Sequence, residues 1–430
     1  MSEPQKPQEP EDKPTGPLAG VKIIDLTTVV LGAYATQILG DLGADIVKVE
    51  TPAPKSGQGG DIMRWAGKTP SDGTSKYNKR ADKPGLGPIF MTINRNKRSV
   101  MLDLKNAQAL DALKKLIEGA DALMSNVRYE GLSRLGLSYE DVKKINPDIV
   151  YVHAAGYGAT GPYAGFPAYD DLVQATSGMA DLLPRVDNDD TPRYLPTLVA
   201  DKATGLHMVY ATLAALFHKQ RSGQGQFVEV PMLESMVSFL MAEHLYGHVF
   251  EPPTGHFGYS RVLSPDRKPY KTKDGYVAIM PYSDKQWDDF FELGGKPGLL
   301  HTDARFSTYE ARTSNIRALY ALIEEVTKEK TTADWLEALR AKDIPTMPVN
   351  RLDDLMTDPH LSEVGFFAPY THPIEGPYYN MAHPVSFSMT PANIRHHAPA
   401  LGADTKDILV EAGLSPAEVD AALHDKEKQK

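Results

Sequence analysis

The stretch VKIIDLTTVVLGAYATQILGDLGADIVKVE, residues 21–50, decides the fold class. Residues 21–27 form a short apolar run typical of a buried strand, and residues 44–50 form a second one. Between them, residues 32–43 predict a short helix. A strand, a helix and a strand within about 30 residues are the building unit of a parallel sheet.

The same alternation continues downstream. Residues 99–105 predict another strand, and the helix that follows carries Leu110, Leu113 and Ile117 at helical spacing. Two more short apolar runs, DALMSN and DIVYVHAA, come next. They are followed by a long helix over residues 202–220 and by the strand GQFVEVPM. The sequence therefore predicts an α/β fold with a doubly wound parallel-sheet large domain.

The pattern of predicted secondary structure changes after this domain. One strand and three helical stretches there predict a smaller α+β domain. Proline-rich segments at 252–269 and 366–391 predict long linkers on either side. The expected organisation is a disordered tail (1–16), the N-terminal part of the large domain (17–230), a helix and linker (231–270), the small domain (271–350), and a linker with a C-terminal return to the large domain (351–430).

Composition excludes several classes of function. The 430 residues carry a formal charge of −10, which argues against nucleic acid and anionic membranes as main partners. There is no cysteine, so thiol nucleophiles, thiolate metal sites and disulfides are excluded. No apolar run approaches the roughly 20 residues of a membrane span. The charged, proline-rich N-terminus has no apolar stretch, and we expect a solvated tail on a cytoplasmic protein.

The segment AAGYGATGPYAG, residues 154–165, contains the spacing G-x-G-x-x-G at Gly156, Gly158 and Gly161. In a dinucleotide-binding fold a helix begins within this motif, because its N-terminal amides hold the pyrophosphate. Here Gly165 and Pro167 would break the first turns of such a helix. We therefore expect no nicotinamide or flavin site. Two interpretations remain: a flexible loop at the ligand-binding edge of the sheet, or a loop that merely needs positive φ angles.

Asp201, immediately before the long helix, is the leading candidate for chemistry. Most aspartates at such a position are helix N-caps with a purely structural role. The same geometry keeps a carboxylate ionised through the helix amides and dipole, so Asp201 could also serve as a nucleophile. Tyr169 and Asp170 follow the glycine loop and are candidates for the same site, with capping of a helix as the structural alternative.

Two other polar clusters carry weaker signals. Arg95, Lys97 and Arg98 precede a strand, and such runs are mostly solvated, although a phosphate-bearing ligand would give them a use. His244 and His248 lie four residues apart on a predicted helix. The glutamate of H-E-x-x-H and a third ligand are missing, so we predict no metal site.

Together, the motifs resemble those of the class III CoA-transferases, typified by formyl-CoA transferase. Six segments match in order along nearly the whole chain beyond the tail: ATQILGDLGADIVKVE, NRNKRSVMLDLK, LSRLGLSYEDVKKINPDIVYVHAAGYGATGPYA, YDDLVQATSG, ADKATGLHMVYATLAAL and RSGQGQFVEVPMLES. The resemblance implies an enzyme that moves CoA from an acyl-CoA donor to a carboxylic acid, with coenzyme A thioesters as substrates and no tightly bound cofactor.

The resemblance also implies roles for particular residues. In the family, the aspartate before the long helix attacks the acyl-CoA carbonyl and forms an acyl anhydride and then a CoA thioester; that position is Asp201. By motif, the CoA-contacting positions are Val30, Leu31, Leu102, Leu104, Lys105, Asn126, Val127 and Arg134. We expect Lys105 and Arg134 near the CoA phosphates. Family members form interlocked homodimers with sites between subunits.

The sequence departs from the family at several points. The first loop reads Val30-Leu31 where Gln-Ala is common, and the asparagine segment reads Ser125-Asn126-Val127 instead of Glu-Asn-Phe. The glycine-rich loop of formyl-CoA transferase is replaced by TGHFGYSRV (254–262), so we do not predict oxalate or formate as substrate. Residues 72–88 resemble an insertion.

Two alternatives stay open. The α-methylacyl-CoA racemases are a sister group that shares the aspartate but has a histidine where this chain has Tyr169. Because phenols ordinarily lose their proton only near pH ~10, a tyrosine is a poor general base, and the transferase is favoured. The other alternative is a protein that binds CoA without catalysis.

Overall fold

A computed structural model describes residues 8–11, 13–53, 59–65 and 86–423. The strands are β1 (Lys22–Leu26), β2 (Asp45–Glu50), β3 (Lys97–Met101), β4 (Ala122–Ser125), β5 (Val150–Ala155), β6 (Phe227–Pro231), β7 (Tyr270–Lys271), β8 (Tyr276–Ile279), β9 (Thr346–Pro348), β10 (Phe367–His372) and β11 (Gly376–Met381). Of the insertion expected at 72–88, only residues 86–88 are among those described, and the rest lies outside them.

The α-helices follow the same chain order. They are α1 (Leu31–Asp41), α2 (Pro88–Ile93), α3 (Ala107–Glu118), α4 (Tyr129–Arg134), α5 (Tyr139–Ile145), α6 (Asp170–Ser177), α7 (Leu182–Asp187), α8 (Val199–Ser222), α9 (Met232–His244), α10 (Asp284–Leu293), α11 (Leu299–Thr302), α12 (Tyr309–Ser314), α13 (Ile316–Thr327), α14 (Thr332–Ala341), α15 (Pro359–Glu363), α16 (Thr405–Glu411) and α17 (Pro416–Leu423). Short 3-10 turns cover Ile62–Arg64, Met179–Asp181, Tyr246–Val249 and Leu352–Thr357. Within the described part of the chain, none of the helices combines the length and apolar character needed to cross a bilayer.

A six-stranded sheet with the order β3-β2-β1-β4-β5-β6 forms the centre of the first of two compact units. Every neighbouring pair in it is parallel, which confirms the predicted parallel α/β sheet. The strand order reverses between β1 and β4. The carboxyl ends of these two strands therefore mark the switch point at which open α/β sheets bind ligands.

The first unit comprises the described residues up to 178, 194–239 and from 360 onward. One apolar core of this unit includes Leu113, Leu116 and Ile117 of α3, which are buried together with Ile408 and Leu409 of α16. α3 begins where the Asn106 side chain accepts the N–H of Gln108. The predicted apolar face of this helix is thus the one that packs.

Helix α8, 24 residues long, packs against α1 in the same unit. Its last turn is basic and it ends at Gly223, whose φ of 74° is in the left-handed region that glycine tolerates. The two helices are in close contact at Gly205. A Cβ added there would lie 2.9 Å from the carbonyl oxygen of Leu31, so only glycine allows this separation.

The basic run at 95–98, which leads into β3 and forms its first two residues, is neither solvated nor free for a phosphate. Lys97 is fully buried and lies 3.3 Å from Asp25 on β1, and Arg95 binds Asp41 through two hydrogen bonds of 2.6 and 3.0 Å. Half-buried Arg98 pairs with Asp45. Both sequence interpretations of this cluster were wrong, because the compensating carboxylates come from distant parts of the chain.

The N-terminal segment also differs from the expected disordered tail. The N–H of Gln8 donates to the Pro369 carbonyl at 2.8 Å, and that of Glu11 donates to the Ile394 carbonyl at 3.0 Å. Backbone groups make these bonds, so a sequence poor in apolar residues gave no sign of them. The expected linker at 366–391 likewise contains the antiparallel pair β10–β11.

The second unit comprises residues 179–193 and 240–359. It combines the antiparallel sheet β7-β8-β9 with α10 to α14, around a core that includes Trp287, Phe290 and Trp335. This is the smaller α+β body that the sequence predicted, although it also takes in residues 179–193, which were expected in the large domain.

We expect Gly205→Val to destabilise the first unit. The branched side chain would force α8 away from the Leu31 carbonyl, and overpacking of this kind costs about 1–3 kcal/mol. Urea denaturation should show a lower midpoint with an unchanged slope. Gly119→Val is the matched control, because a Cβ at Gly119 has open space around it. Equal stability of the two variants would contradict the close approach.

Candidate active site

A cavity of about 600 Å³ opens at the carboxyl ends of β1, β4, β5 and β6, entirely within the first unit. Its wall is formed by the loops that follow these strands and by the amino ends of α6 and α8. The lining residues include Thr28, Val29, Leu31, Asn126, Arg128, Tyr129, Glu130, His153, Gly156, Tyr169, Asp170, Asp201, Phe227 and Glu229. The cavity thus lies where the strand order of the sheet reverses.

The loop between β1 and α1 forms one wall and is held in an unusual conformation. Val29 has a φ of 67°, a value that a β-branched residue rarely adopts. Asn126 holds the neighbouring Thr28 from both sides: its Oδ1 accepts the Thr28 N–H at 2.9 Å and its Nδ2 donates to the Thr28 carbonyl at 2.8 Å. The Val29 N–H donates to Asp61 at 3.2 Å.

The glycine segment lies at the end of β5, but no helix begins within its described residues 156–169, and α6 starts at Asp170. The predicted lack of a helix start within the motif is therefore confirmed, and the absence of a dinucleotide site stays a prediction. Within residues 154–165, all of them described, only Gly165 has a positive φ, so the alternative based on positive φ was wrong for the motif glycines.

Close contacts explain two of these glycines instead. A Cβ at Gly156 would meet the Cβ of Ala168 at 2.2 Å, and one at Gly158 would meet the Glu234 carboxylate at 2.5 Å. The Gly158 N–H donates to that carboxylate at 2.9 Å. Gly156 lines the cavity, whereas Gly158 and Gly161 are not among its lining residues.

Asp201 lies in the first turn of α8 and lines the cavity beside Asp170. The N-cap of α8 is Leu198, so the expected capping role of Asp201 was wrong. Its own backbone N–H donates to Oδ2 of Asp170 at 2.9 Å. The Asp170 carboxylate, 6% exposed, thus points at the amino end of α8, although it belongs to α6.

Burial and the neighbouring Asp170 raise the pKa of Asp201 to about 7. The sequence had suggested that the helix amides keep this group ionised. A carboxylate in the first helical turn does gain from the dipole, typically by about 0.3–1 kcal/mol. Loss of hydration and repulsion from a second carboxylate act in the opposite direction, and here they outweigh the dipole.

The cavity wall also includes residues that the sequence did not single out. His153 on β5 is 4% exposed, and its Nδ1 has no hydrogen-bond partner among the described residues. Burial lowers its pKa to about 4, so the imidazole is neutral at physiological pH. Tyr129 packs edge-on against it at 5.3 Å, and Glu229 is its partner in the neighbouring strand. A histidine inside an apolar strand gave no sequence signal.

Of the positions carried over as CoA contacts, the structure brings Leu31 and Asn126 to the cavity wall. The others are not among its lining residues. Val30 and Leu102 are buried, Leu104 packs against the core beside α3, and Lys105, Val127 and Arg134 are exposed. The predicted substrate-loop residue Tyr169 is 68% exposed and lines the cavity.

The histidine pair of the expected helix is split between two elements. His244 ends α9 and its Nδ1 accepts the Tyr259 N–H, while His248 lies in a 3-10 turn and stacks on Phe257. Over the part of the chain that the structure describes, no three His, Asp or Glu side chains group in a way that could hold a metal ion.

Comparisons with known proteins agree with this architecture. The family model of CoA-transferase family III matches residues 18–405. The chain belongs to CoA-transferase family III. The resemblance drawn from the six motifs is therefore confirmed, and with it the assignment of the chain as an enzyme of the class III CoA-transferases.

Individual relatives match over almost their whole length. A succinate–glutarate CoA-transferase of Agrobacterium fabrum is 30% identical over 94% of this chain and 96% of its own. A formyl-CoA:oxalate CoA-transferase of Shigella sonnei is 28% identical over 94% and 98%. The crystal structure of a CAIB/BAIF family protein from Brucella suis, 30% identical, covers 92% of this chain and 99% of its own with a TM-score of 0.74.

We expect Asp201→Asn to stabilise the protein at pH 8. Since the pKa is raised from the ordinary 3.8 to about 7, the folded state keeps this proton between those values while the unfolded chain has lost it. The free energy of unfolding therefore falls as pH rises through this window, by up to about 4 kcal/mol. The amide removes that loss, so the gain should be full at pH 8 and absent below pH 4.

Urea denaturation at several pH values measures this effect, with Asp171→Asn as the control on the exposed side of α6. A pH-independent difference between wild type and the Asp201 variant would show that the raised pKa is wrong.

Proposed function

We propose that this enzyme moves CoA from an acyl-CoA donor to a carboxylic acid acceptor through covalent adducts on Asp201. The observation that carries the proposal is the carboxyl group of Asp201, which opens on the cavity and has a pKa near 7. At neutral pH a large fraction is ionised and able to attack. Because burial disfavours the charge, conversion of the carboxylate to a neutral acyl adduct is helped by the same environment.

The proposed reaction has four steps. One Asp201 oxygen attacks the thioester carbonyl, and the C–S bond breaks to give an acyl-aspartyl anhydride and CoA thiolate. The thiolate attacks the Asp201 carbonyl carbon, which releases the donor acid as a carboxylate and leaves an aspartyl-CoA thioester. The acceptor carboxylate attacks that thioester and expels the thiolate again. The thiolate finally attacks the acceptor acyl carbon, giving the new acyl-CoA and free Asp201.

Membership of CoA-transferase family III supports acyl-CoA thioesters and carboxylic acids as the substrates. Some relatives are named for the dicarboxylic acids succinate and glutarate, so succinyl-CoA with glutarate is the first donor and acceptor pair to test. Formyl-CoA with oxalate forms a second pair, for which the replaced loop at 254–262 leads us to expect no transfer. Acetyl- and aryl-CoA donors and hydroxy acids complete a panel that mass spectrometry can read for new CoA thioesters.

We expect Asp201→Ala to lower transfer by roughly 10³-fold or more, because a nucleophile that forms the covalent adduct has no substitute. Incubation of the wild type with an acyl-CoA, followed by hydroxylamine or borohydride, should label the peptide that contains Asp201. Asp171→Ala, an exposed neighbour on α6, should keep full transfer and labelling. Retained CoA affinity with no transfer to any acid, in the wild type itself, would instead indicate a non-catalytic CoA-binding protein.

One observation favours the racemase as a second candidate. Removal and return of an α-proton needs a second base, and neutral His153 lines the same cavity as Asp201. This reaction would incorporate deuterium from heavy water into a 2-methylacyl-CoA without any acceptor acid. The transferase account predicts no such exchange in the absence of an acceptor.

We also propose that the protein acts as a homodimer. Leu206, Tyr210 and Phe217 on α8 are 50%, 59% and 59% exposed, so one face of this helix presents large apolar side chains to solvent. Apolar surface of this kind is typical of a protein–protein contact. A second copy of the chain is the occupant that the family resemblance implies.

We expect Leu206→Glu with Tyr210→Glu to convert the dimer to a monomer in analytical ultracentrifugation, because two charges would be desolvated at the contact. Lys406→Glu, at an exposed position of α16, controls for added negative charge. A wild-type protein that sediments as a monomer, or a dimer that the double variant leaves intact, would contradict this assignment of the α8 face.

A further inference from the structure

Gln174 on α6 connects the carboxylate pair to the entry of α8. Its side chain is 1% exposed. Nε2 donates to Oδ1 of Asp170 at 2.7 Å, and Oε1 accepts the Leu195 N–H at 2.9 Å. Nε2 also lies 3.4 and 3.3 Å from the carbonyl oxygens of Leu195 and Thr197. A flipped amide would oppose like groups at every one of these contacts, so its orientation is fixed.

Both oxygens of Asp170 therefore face donors. Oδ1 accepts from Gln174, and Oδ2 accepts from the backbone N–H of Asp201. An ionised carboxylate is a charged acceptor at both oxygens, whereas a protonated one offers one of these N–H groups only a hydroxyl oxygen, which is a weaker acceptor. The arrangement thus suits the ionised form of Asp170.

We infer that Gln174 is a positioning residue: its amide keeps Asp170 ionised and aimed at the first turn of α8, so that the single proton of the carboxylate pair resides on Asp201. The inference deepens the proposed function and rests on Asp201 being the nucleophile. Gln174 touches neither substrate nor the reacting atoms in this account. It sets the pH at which the nucleophile becomes available.

Few other charges can set this equilibrium. Lys202, the next residue of α8, donates from Nζ to the Thr197 hydroxyl at 2.6 Å. On α6, Asp171 is exposed and points away from the buried face. The remaining charged and titratable groups near the pair are those of the cavity wall: Arg128, Tyr129, Glu130, His153, Tyr157, Tyr169 and Glu229. None of them is in hydrogen-bonding contact with Asp170 among the described residues, so the amide of Gln174 is the side-chain donor that decides its state.

The test is a titration of the intact enzyme labelled with ¹³Cγ-aspartate, in which the signal missing from Asp201→Asn identifies Asp201. The wild-type midpoint should lie near pH 7. Gln174→Met removes the donor but keeps an unbranched side chain, so Asp170 competes for the proton and the Asp201 midpoint should fall by about one pH unit. Asp170→Asn removes the charge and should lower the midpoint further.

A double-mutant cycle separates this role from a merely structural one. If Gln174 acts through Asp170, Gln174→Met should cause no further shift in the Asp170→Asn background. A midpoint that Gln174→Met leaves at the wild-type value, or an equal shift in both backgrounds, overturns the inference. Gln220→Met, the same change at an exposed position of α8, should leave the midpoint unchanged.

A second variant covers the case in which Gln174→Met does not fold. Asp170→Asn combined with Gln174→Glu exchanges the positions of the amide and the carboxylate. An oxygen still accepts the N–H group of Asp201 and another that of Leu195. An amide N–H still donates across the contact between residues 170 and 174. The charge then lies one side chain further from Asp201. Its midpoint should fall below that of the wild type; a wild-type midpoint in this variant would overturn the inference.

Kinetics distinguish failure of this inference from failure of the proposed function. For succinyl-CoA and glutarate, the acidic limb of kcat/KM should follow the Asp201 midpoint in each variant. At pH 6 the wild type should retain about a tenth of its plateau value, and Gln174→Met a several-fold larger share of its own plateau. If the Asp201 midpoint shifts in Gln174→Met but the wild type transfers CoA from no donor in the panel, only the proposed function is contradicted. If the wild type transfers CoA but the acidic limb of kcat/KM does not shift in Gln174→Met, only the role of Gln174 is contradicted.

Discussion

Buried charge at the carboxyl ends of β1 and β2 is the constraint on which the cavity depends. Lys48 and Asp25 are fully buried, and each is stable there only because opposite charges and hydrogen bonds surround it. Burial would raise the pKa of Asp25, but Lys97 and Lys48 outweigh it and hold the pKa below its ordinary value. Lys48 donates to the Thr27 carbonyl at 2.8 Å and to Asp61 at 3.1 Å. Asp61 in turn receives the N–H of Val29, so the network holds the strained loop that forms one wall of the cavity.

The same competition between burial and pairing has the opposite outcome at Asp201. In the network, carboxylates meet ammonium and guanidinium groups; the two-bond contact with Arg64, helped by Lys48, outweighs burial and lowers the pKa of Glu50. Asp201 meets another carboxylate instead, and its pKa rises. One fold thus holds structural carboxylates in the charged form and leaves one carboxyl group near its titration point, facing open space. That contrast is what a nucleophile reacting to form neutral adducts requires.

Much of this organisation could be predicted from the sequence, because local patterns determine it. Apolar runs gave the parallel sheet, helical spacing gave α3 and the length of α8, and the six ordered motifs gave the family. The predictions that failed concern residues whose interaction partners lie far away in the sequence. The basic run at 95–98 looked solvated because Asp25 and Asp41 lie more than 50 residues away in the sequence. At Asp201 the sequence suggested only the stabilising effect of the helix amides, because the neighbouring Asp170 lies 31 residues earlier in the chain. Gln8 and Glu11 of the tail donate backbone N–H groups to distant carbonyls, and the hairpin at 367–381 is joined by its own backbone ladder; composition reveals neither. His153 gave no signal, since a histidine within an apolar strand is indistinguishable from core.

The central claim is that oxygen atoms of Asp201 take part in the reaction, and an isotope measurement tests it directly. One turnover with an acceptor acid labelled with ¹⁸O in both carboxylate positions should leave one ¹⁸O in Asp201, because the bridging oxygen of the second anhydride comes from the acceptor and stays with the enzyme. Mass spectrometry of the peptide containing Asp201 should then show an increase of about 2 Da, the mass difference between the two isotopes, in proportion to turnover. Transfer of CoA with no label in that peptide would show that the reaction bypasses Asp201, and the account would be wrong.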